Sequence, residues 1–309
     1  MIRKDVLPRV WDDSWHCEAP QQELSIENGR EYKLVLCNNA DAPMFMLREE
    51  NGYNIMPDIE NLSINIGEGA HLTLYRLQGM NTPALHLTEL RLFMQRGASA
   101  NLCTVTLGGD HVRNNIEVRM QGEECRLEAD GLYLTDREQQ CDNYIFVEHA
   151  KPYCHSRELY KGIIDDSAKA RFNGHVLVQD GAVKTEAYQT NRNILLTDKA
   201  HVDTRPFLEI YNDDVKCSHG STIGQLDEQA LYYLMTRGIS RKTATTMLSY
   251  AFCDEVISGI AIPSLHDAVG DMVKKRLHGE LTSCADCAIA CANPCNGPDA
   301  HFEIDPSKL

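Results

Sequence analysis

The densest chemical run is Asp213-Asp214-Val215-Lys216-Cys217-Ser218-His219-Gly220, where a thiol and an imidazole stand two residues apart. On a strand, alternate side chains share a face, so Cys217 and His219 project together. A thiolate and an imidazole suit iron or zinc, and the neighbouring Lys216 and a protonated His219 are expected to lower the thiol pKa. The pair supplies two ligands at most, which makes a half-site. Taken alone, the same residues also describe a structural cysteine beside a hydrogen-bonded histidine.

Two other groups carry ligand-type side chains. Val147-Glu148-His149 and Tyr153-Cys154-His155 offer carboxylate, imidazole and thiol in a short stretch, although histidines on β segments more often make hydrogen bonds at turns than bind metal. Cys284, Cys287, Cys291 and Cys295 follow a Cys-x2-Cys-x3-Cys-x3-Cys pattern. Four thiols so close together can close around Zn²⁺ or a four-iron cluster, and Pro294 favours a chelating loop over a helix there. No His-Glu-x-x-His or Gly-x-Ser-x-Gly spacing occurs, and no phosphate-cradling Gly-x-x-x-x-Gly-Lys-Ser/Thr loop. Leu107-Gly108-Gly109-Asp110 reads as a turn between strands. Any nucleotide hydrolysis must then belong to a partner.

The elements that position these residues are mostly short strands. Tyr32–Leu36, Leu62–Ile66, His71–Tyr75, Asn101–Val105, Asn115–Arg119, Tyr144–Val147 and His175–Val178 are β-prone runs separated by Gly, Asn and Asp, with no amphipathic helix between them. That rhythm excludes a doubly wound α/β fold and leaves a sandwich, a barrel or a β-solenoid. Many short, evenly spaced strands favour stacked rungs. From about Gly224 the period becomes helical. Asp227 is placed to cap a first helix that Gly238 ends, Ser240 a second, and Ser264 after Pro263 starts a third. The apolar positions Leu226, Ala230, Leu231, Leu234, then Ala244, Met247, Leu248, Ala251, then Val269, Met272 and Leu277 are expected to face a core. The organisation predicted is a lead-in over residues 1–22, a β core over 23–223, a helical domain over 224–281 and a cysteine-rich tail over 282–309.

A formal charge of −15 sets the average surface against nucleic acid and anionic membrane. No apolar run approaches the length of a membrane span. The start, Met1 to Pro8, lacks the apolar stretch of a secretory signal, and of the twelve cysteines the eight outside the tail are scattered. Reduced thiols in the cytoplasm are therefore expected.

The run from Leu208 to Asp227 resembles the signature of the SufB/SufD family of iron–sulfur cluster assembly scaffolds. Val147-Glu148-His149, Leu159-Tyr160-Lys161-Gly162, Phe172-Asn173-Gly174, Lys184-Thr185-Glu186-Ala187-Tyr188-Gln189 and Tyr233-Leu234-Met235-Thr236-Arg237-Gly238-Ile239 extend the match in family order. The resemblance is strong over residues 147–260 and reaches back to about Ile26. Gly220, where the SufB branch typically carries Glu, and Asn191, where that branch typically has its sulfur-accepting cysteine, are similar to the SufD branch.

What the resemblance implies is a right-handed parallel β-helix followed by a helical C-terminal domain. It further implies a non-catalytic scaffold that joins a SufB-like paralogue and two copies of a SufC-like ATPase, the latter docked on the C-terminal helices. Cys217 and His219 match the residues implicated in handling iron or a transient iron–sulfur cluster at the paralogue interface. The chain differs from the family in lacking the usual N-terminal helical region and in carrying the four-cysteine tail. A homodimer is the other assembly left open. The competing readings are a stand-alone iron–sulfur or zinc protein that uses the tail for electron transfer or cluster storage, and a β-solenoid enzyme acting on polysaccharide. Only two Trp are available for sugar stacking in the last case.

Overall fold

The computed structural model describes residues 17, 19–37, 53–79 and 85–278. Most of the expected lead-in and the whole cysteine-rich tail lie outside the described residues. Those that are described divide between Gly224 and Gln225 into a β unit and a helical unit.

The β unit contains β1 (Gln22–Ile26), β2 (Glu31–Cys37), β3 (Tyr53–Pro57), β4 (Asn61–Ile66), β5 (His71–Gln78), β6 (Leu85–Met94), β7 (Ser99–Thr106), β8 (His111–Met120), β9 (Arg126–Thr135), β10 (Gln140–His149), β11 (His155–Ile164), β12 (Lys169–Val178), β13 (Glu186–Leu195), β14 (His201–Ile210) and β15 (Lys216–Gly224). Successive strands alternate between two sheets, ordered β1-β4-β6-β8-β10-β12-β14 and β3-β2-β5-β7-β9-β11-β13-β15. Every pairing is parallel, for example Gln140 with Lys169 and His155 with Glu186. The fold is thus a two-sheet parallel β-helix, in agreement with the expected rungs. Only its beginning is irregular, because β3 pairs with the outer side of β2.

Alternation places every second side chain between the sheets. In the first turns these are apolar: Leu62, Ile64 and Ile66 on β4, Leu72 and Leu74 on β5, and Leu90, Leu92 and Met94 on β6, all buried. Each such side chain contributes roughly 1.5–3 kcal/mol when taken from water. Later turns bury polar groups and pair them. Asn114 donates to Gln78 Oε1 and Asn143 Oδ1, both at 3.1 Å, and Tyr133 donates its hydroxyl proton to Asn193 Oδ1 at 2.5 Å.

Two glycines make room for the large rings in this region. A Cβ on Gly131 would lie 2.3 Å from the Tyr160 ring, and one on Gly162 would lie 2.2 Å from the Tyr133 ring.

The five passages from the first sheet to the second between β4 and β13 share the same corner. A residue with left-handed φ precedes a buried one: Gly69 (63°) before Ala70, Gly97 (65°) before Ala98, Glu124 (61°) before Cys125, Tyr153 (61°) before Cys154 and Lys184 (58°) before Thr185. The buried corner residues form a backbone ladder in which Arg126 N–H donates to Ala98 O, His155 N–H to Cys125 O and Glu186 N–H to Cys154 O, at 3.0, 2.9 and 3.0 Å.

The helical unit comprises α1 (Glu228–Thr236), α2 (Arg241–Ile257) and α3 (Pro263–His278). Asp227 caps α1 by accepting from Gln229 N and Ala230 N. Gly238, at φ 84°, ends it, with Gly238 N–H on Met235 O and Ile239 N–H on Leu234 O, the paired bonds of a Schellman motif. Ser240 caps α2.

The third helix begins at Pro263 itself, one residue before the expected start, because proline has no N–H to leave unsatisfied in the first turn. The expected apolar stripes are only partly correct. On α2 the buried residues are Ala244, Ser249, Cys253, Val256 and Ile257, whereas Met247 and Ala251 are exposed; on α1 only Leu231 is buried. None of the helices among the described residues is long and apolar enough to cross a membrane.

Candidate functional site at the last turn

Cys217 and His219 lie on β15, the end strand of the second sheet. Their register partners on β13 are Ala187 and Gln189, both buried, so the two side chains continue columns that run inside the solenoid. Among the described residues no further strand covers them from above. Cys217 is consequently half-buried and His219 exposed. The structure thus brings the two predicted residues to one face, at the mouth of the core.

The expected lowering of the Cys217 thiol does not occur. Burial raises it, with a backbone hydrogen bond from Ala187 opposing. Lys216 exerts no pull because it points to the other face, where its Nζ is 2.9 Å from Glu186 Oε1. The outcome is a protonated thiol at rest, one that a metal must displace a proton from in order to bind.

Behind His219 the same column holds Gln189 and then Glu158. Gln189 Nε2 donates to Glu158 Oε2 at 2.6 Å, while Glu158 Oε1 and Gln189 Oε1 are buried without a hydrogen-bond partner. Burial pushes the Glu158 carboxyl up to about 8, against the bond from Gln189. Glu158 is therefore a neutral acid two turns in along the column that ends in His219. Nothing in its local sequence distinguishes it; only the register between turns reveals it.

Further along β15, Ser221 stands above Asn191 and exchanges a 2.8 Å hydrogen bond with Thr204 of β14. Asn191 is fully engaged, donating to the Tyr133 hydroxyl and the Tyr160 carbonyl at 3.1 and 3.2 Å and accepting from Asn193 at 2.6 Å.

The second sequence cluster is split by the strand alternation. Glu148 faces outward to Arg119 and Gln179, and His155 lies against Tyr188, while His149 and Cys154 point into the core. Among the described residues no three ligand-type side chains converge on a metal position. Cys217 and His219 thus offer two donor side chains on one face, and no third described ligand-type residue joins them. Cys284, Cys287, Cys291 and Cys295 lie outside the described residues.

The family described as SUF system FeS cluster assembly, SufBD core domain, matches residues 28–252. The chain belongs to the SufB/SufD family. Among its SufB/SufD relatives, the iron–sulfur cluster assembly protein SufD of Escherichia coli K12 is 37% identical over 217 residues, covering 70% of this chain and 51% of that protein. A SufBD family protein of Synechocystis is 33% identical over 224 residues, 72% of this chain and 47% of its own length. The chloroplastic protein ABCI7 of Arabidopsis thaliana is 30% identical over 258 residues, 82% of this chain and 52% of its own. The chain spans about half the length of these SufB/SufD relatives.

At the two positions where the sequence is similar to the SufD branch of the family, the structure supplies a physical description. Gly220 is exposed and a Cβ there would meet nothing within 4 Å, so its lack of a side chain is not a packing requirement. Asn191, by contrast, is locked into the interior network.

Proposed function

We propose that this chain is a SufD-type scaffold subunit that works in the cytoplasm, joins a SufB-like paralogue and a SufC-like ATPase, and has no catalytic activity of its own. The observation that carries this reading is the position of Cys217 and His219 at the open end of the solenoid. They supply only two donors, on an end strand whose outer edge pairs with no other strand among the described residues. A cluster that must later be released is better held by a few ligands shared across a movable interface than by a closed cage. Iron or a nascent iron–sulfur cluster is cargo here, completed by ligands from the paralogue.

The surroundings suit such an interface. Phe207, Ile210 and Tyr211 on or beside β14 and Ile223 on β15 are large apolar side chains exposed at 54, 39, 59 and 47%. Exposed aromatic and aliphatic side chains of this kind are typical of the buried centre of a protein contact. Pro206 removes one N–H from β14, as edge strands allow, whereas β15 has no proline and keeps its backbone groups for pairing.

In the helical unit, Tyr232, Tyr233, Met235 and Met247 are also exposed. They provide a second apolar surface, which we assign to the ATPase. Co-expression with SufB-like and SufC-like partners tests the proposal: one complex containing all three is expected on gel filtration, and its absence would sink the scaffold reading.

A further inference from the structure

Cys125 and Cys154 occupy the same corner on two successive turns. They are 29 positions apart, the spacing of Arg126 and His155 in the β9–β11 register, and the His155 N–H to Cys125 O bond joins the two turns directly beside them. Neighbouring strands lie about 4.8 Å apart, which falls inside the roughly 4.4–6.8 Å Cα separation that a disulfide spans. Both sulfurs face one oxygen, with Cys125 Sγ 3.3 Å and Cys154 Sγ 3.4 Å from the Gly122 carbonyl. No other two cysteines among the described residues are register neighbours.

We infer that Cys125 and Cys154 form an oxidisable dithiol site, which a small hydroperoxide converts to a disulfide that staples two successive turns of the solenoid. The pair is distinct from Cys217 and His219, which lie on the last turn.

The surroundings distinguish the two thiols. A hydrogen bond from Cys125 holds Cys154 below the usual thiol range, burial opposing and His149 assisting, while the same bond and burial raise Cys125. His149 reaches Ser156 Oγ through Nε2 at 2.9 Å, and its buried Nδ1 has no hydrogen-bond partner. With Nε2 donating to Ser156, Nδ1 is left as a proton acceptor. Cys103 and Cys141, buried without a neighbouring thiol in register, are instead pushed up, Cys141 to about 12. The unpartnered Nδ1 of His149, which acts on Cys154 and not on Cys125, makes Cys154 the attacking sulfur and Cys125 the resolving one.

The steps balance with hydrogen peroxide as oxidant. Cys154 gives its proton to His149, and its thiolate attacks one peroxide oxygen as the O–O bond breaks. The leaving hydroxide takes the proton back from His149 and departs as water, leaving a sulfenic acid on Cys154. Cys125 sulfur then attacks that sulfur: the S–S bond forms, the S–O bond breaks, and the hydroxide leaves with the Cys125 proton as a second water. Two thiols are oxidised and one peroxide is reduced. Both thiols are buried, and the corner segments 121–124 and 150–153 beside them expose Gln121, Glu123, Glu124, Lys151 and Tyr153.

The experiment treats the reduced full chain with graded hydrogen peroxide, alkylates it under denaturing conditions and maps tryptic peptides by mass spectrometry. A linked pair carrying Cys125 and Cys154, lighter by two hydrogens and reversed by dithiothreitol, is expected. In Cys125→Ser the linked pair disappears and a dimedone adduct on Cys154 replaces it. Complete alkylation of both cysteines at peroxide doses that already modify Cys217, or a bridge from either one to Cys217, would overturn the inference. The wild-type map decides between these results even if a serine variant fails to fold.

Discussion

His219 on β15 stands in register with Gln189 on β13, which in turn donates to the buried Glu158 one turn further in. An exposed imidazole at the edge of the fold is thereby the last member of a column whose other members are sealed in the core. This arrangement separates the site's chemistry from the fold's stability, and the two respond differently to substitution.

Removing the exposed end of the column should leave the fold intact. His219→Ala and Cys217→Ala are expected to shift stability by about 0.5 kcal/mol or less for the exposed histidine and by about 1 kcal/mol for the half-buried cysteine. Urea unfolding of the isolated chain checks this; a loss of several kcal/mol would mean that the pair is structural.

At the buried end the effect is on pH dependence. Glu158 has its folded pKa raised to about 8, so the native state holds a proton that the unfolded chain has released above about pH 4.3. The stability that this protonated group contributes is whole below that unfolded value and is lost as pH rises toward the folded one, by at most about 1.4 kcal/mol per pH unit. Glu158→Gln should flatten the decline between pH 5 and 8. Parallel curves for variant and wild type would contradict the assignment.

Asp58 has the opposite sign. Burial would raise its carboxyl, but the Arg76 guanidinium, with Nε at 3.1 Å, and the bond from His86 at 2.9 Å hold it below the usual range. Its contribution is present above the unfolded value and lost as pH falls below about 4. Asp58→Asn, which leaves the Arg76 charge buried, should cost about 3–5 kcal/mol at pH 7 and remove part of the acid sensitivity. Thermal melts from pH 3 to 7 test both statements.

Glycine positions give a steric contrast. Gly162→Ala drives a methyl into the Tyr133 ring and should cost about 1–3 kcal/mol, whereas Gly220→Ala meets open space and should be near neutral. Equal effects at the two positions would rule out the interlock of Tyr133 over Gly162.

Much of this architecture was legible in local sequence. Alternation in His71-Leu72-Thr73-Leu74 marks a strand with one buried face, and Asp227, Gly238 and Ser240 mark helix ends, because caps and alternation are short-range signals. The shared face of the candidate residues Cys217 and His219 was visible for the same reason, since they are two apart on one strand. Partners one turn away were not visible. Cys125 beside Cys154, Glu158 beside Gln189 and Tyr133 over Gly162 meet only after the register between strands is set. Likewise the buried side of α2 falls on Ser249 and Cys253, not on Met247 and Ala251, because packing partners choose the face where apolar periodicity is weak. Lys216 was misjudged for a simpler reason: adjacent residues on a strand point to opposite faces.

The most direct test of the central claim is iron and sulfide content after anaerobic reconstitution of the complex with SufB-like and SufC-like partners, comparing wild type with a Cys217→Ala/His219→Ala double variant. The scaffold account predicts that both assemble the complex and that the variant retains markedly less iron and sulfide, with the two falling together. Equal loading of wild type and variant in an intact complex would contradict the assignment of the cluster site to the last turn of the solenoid.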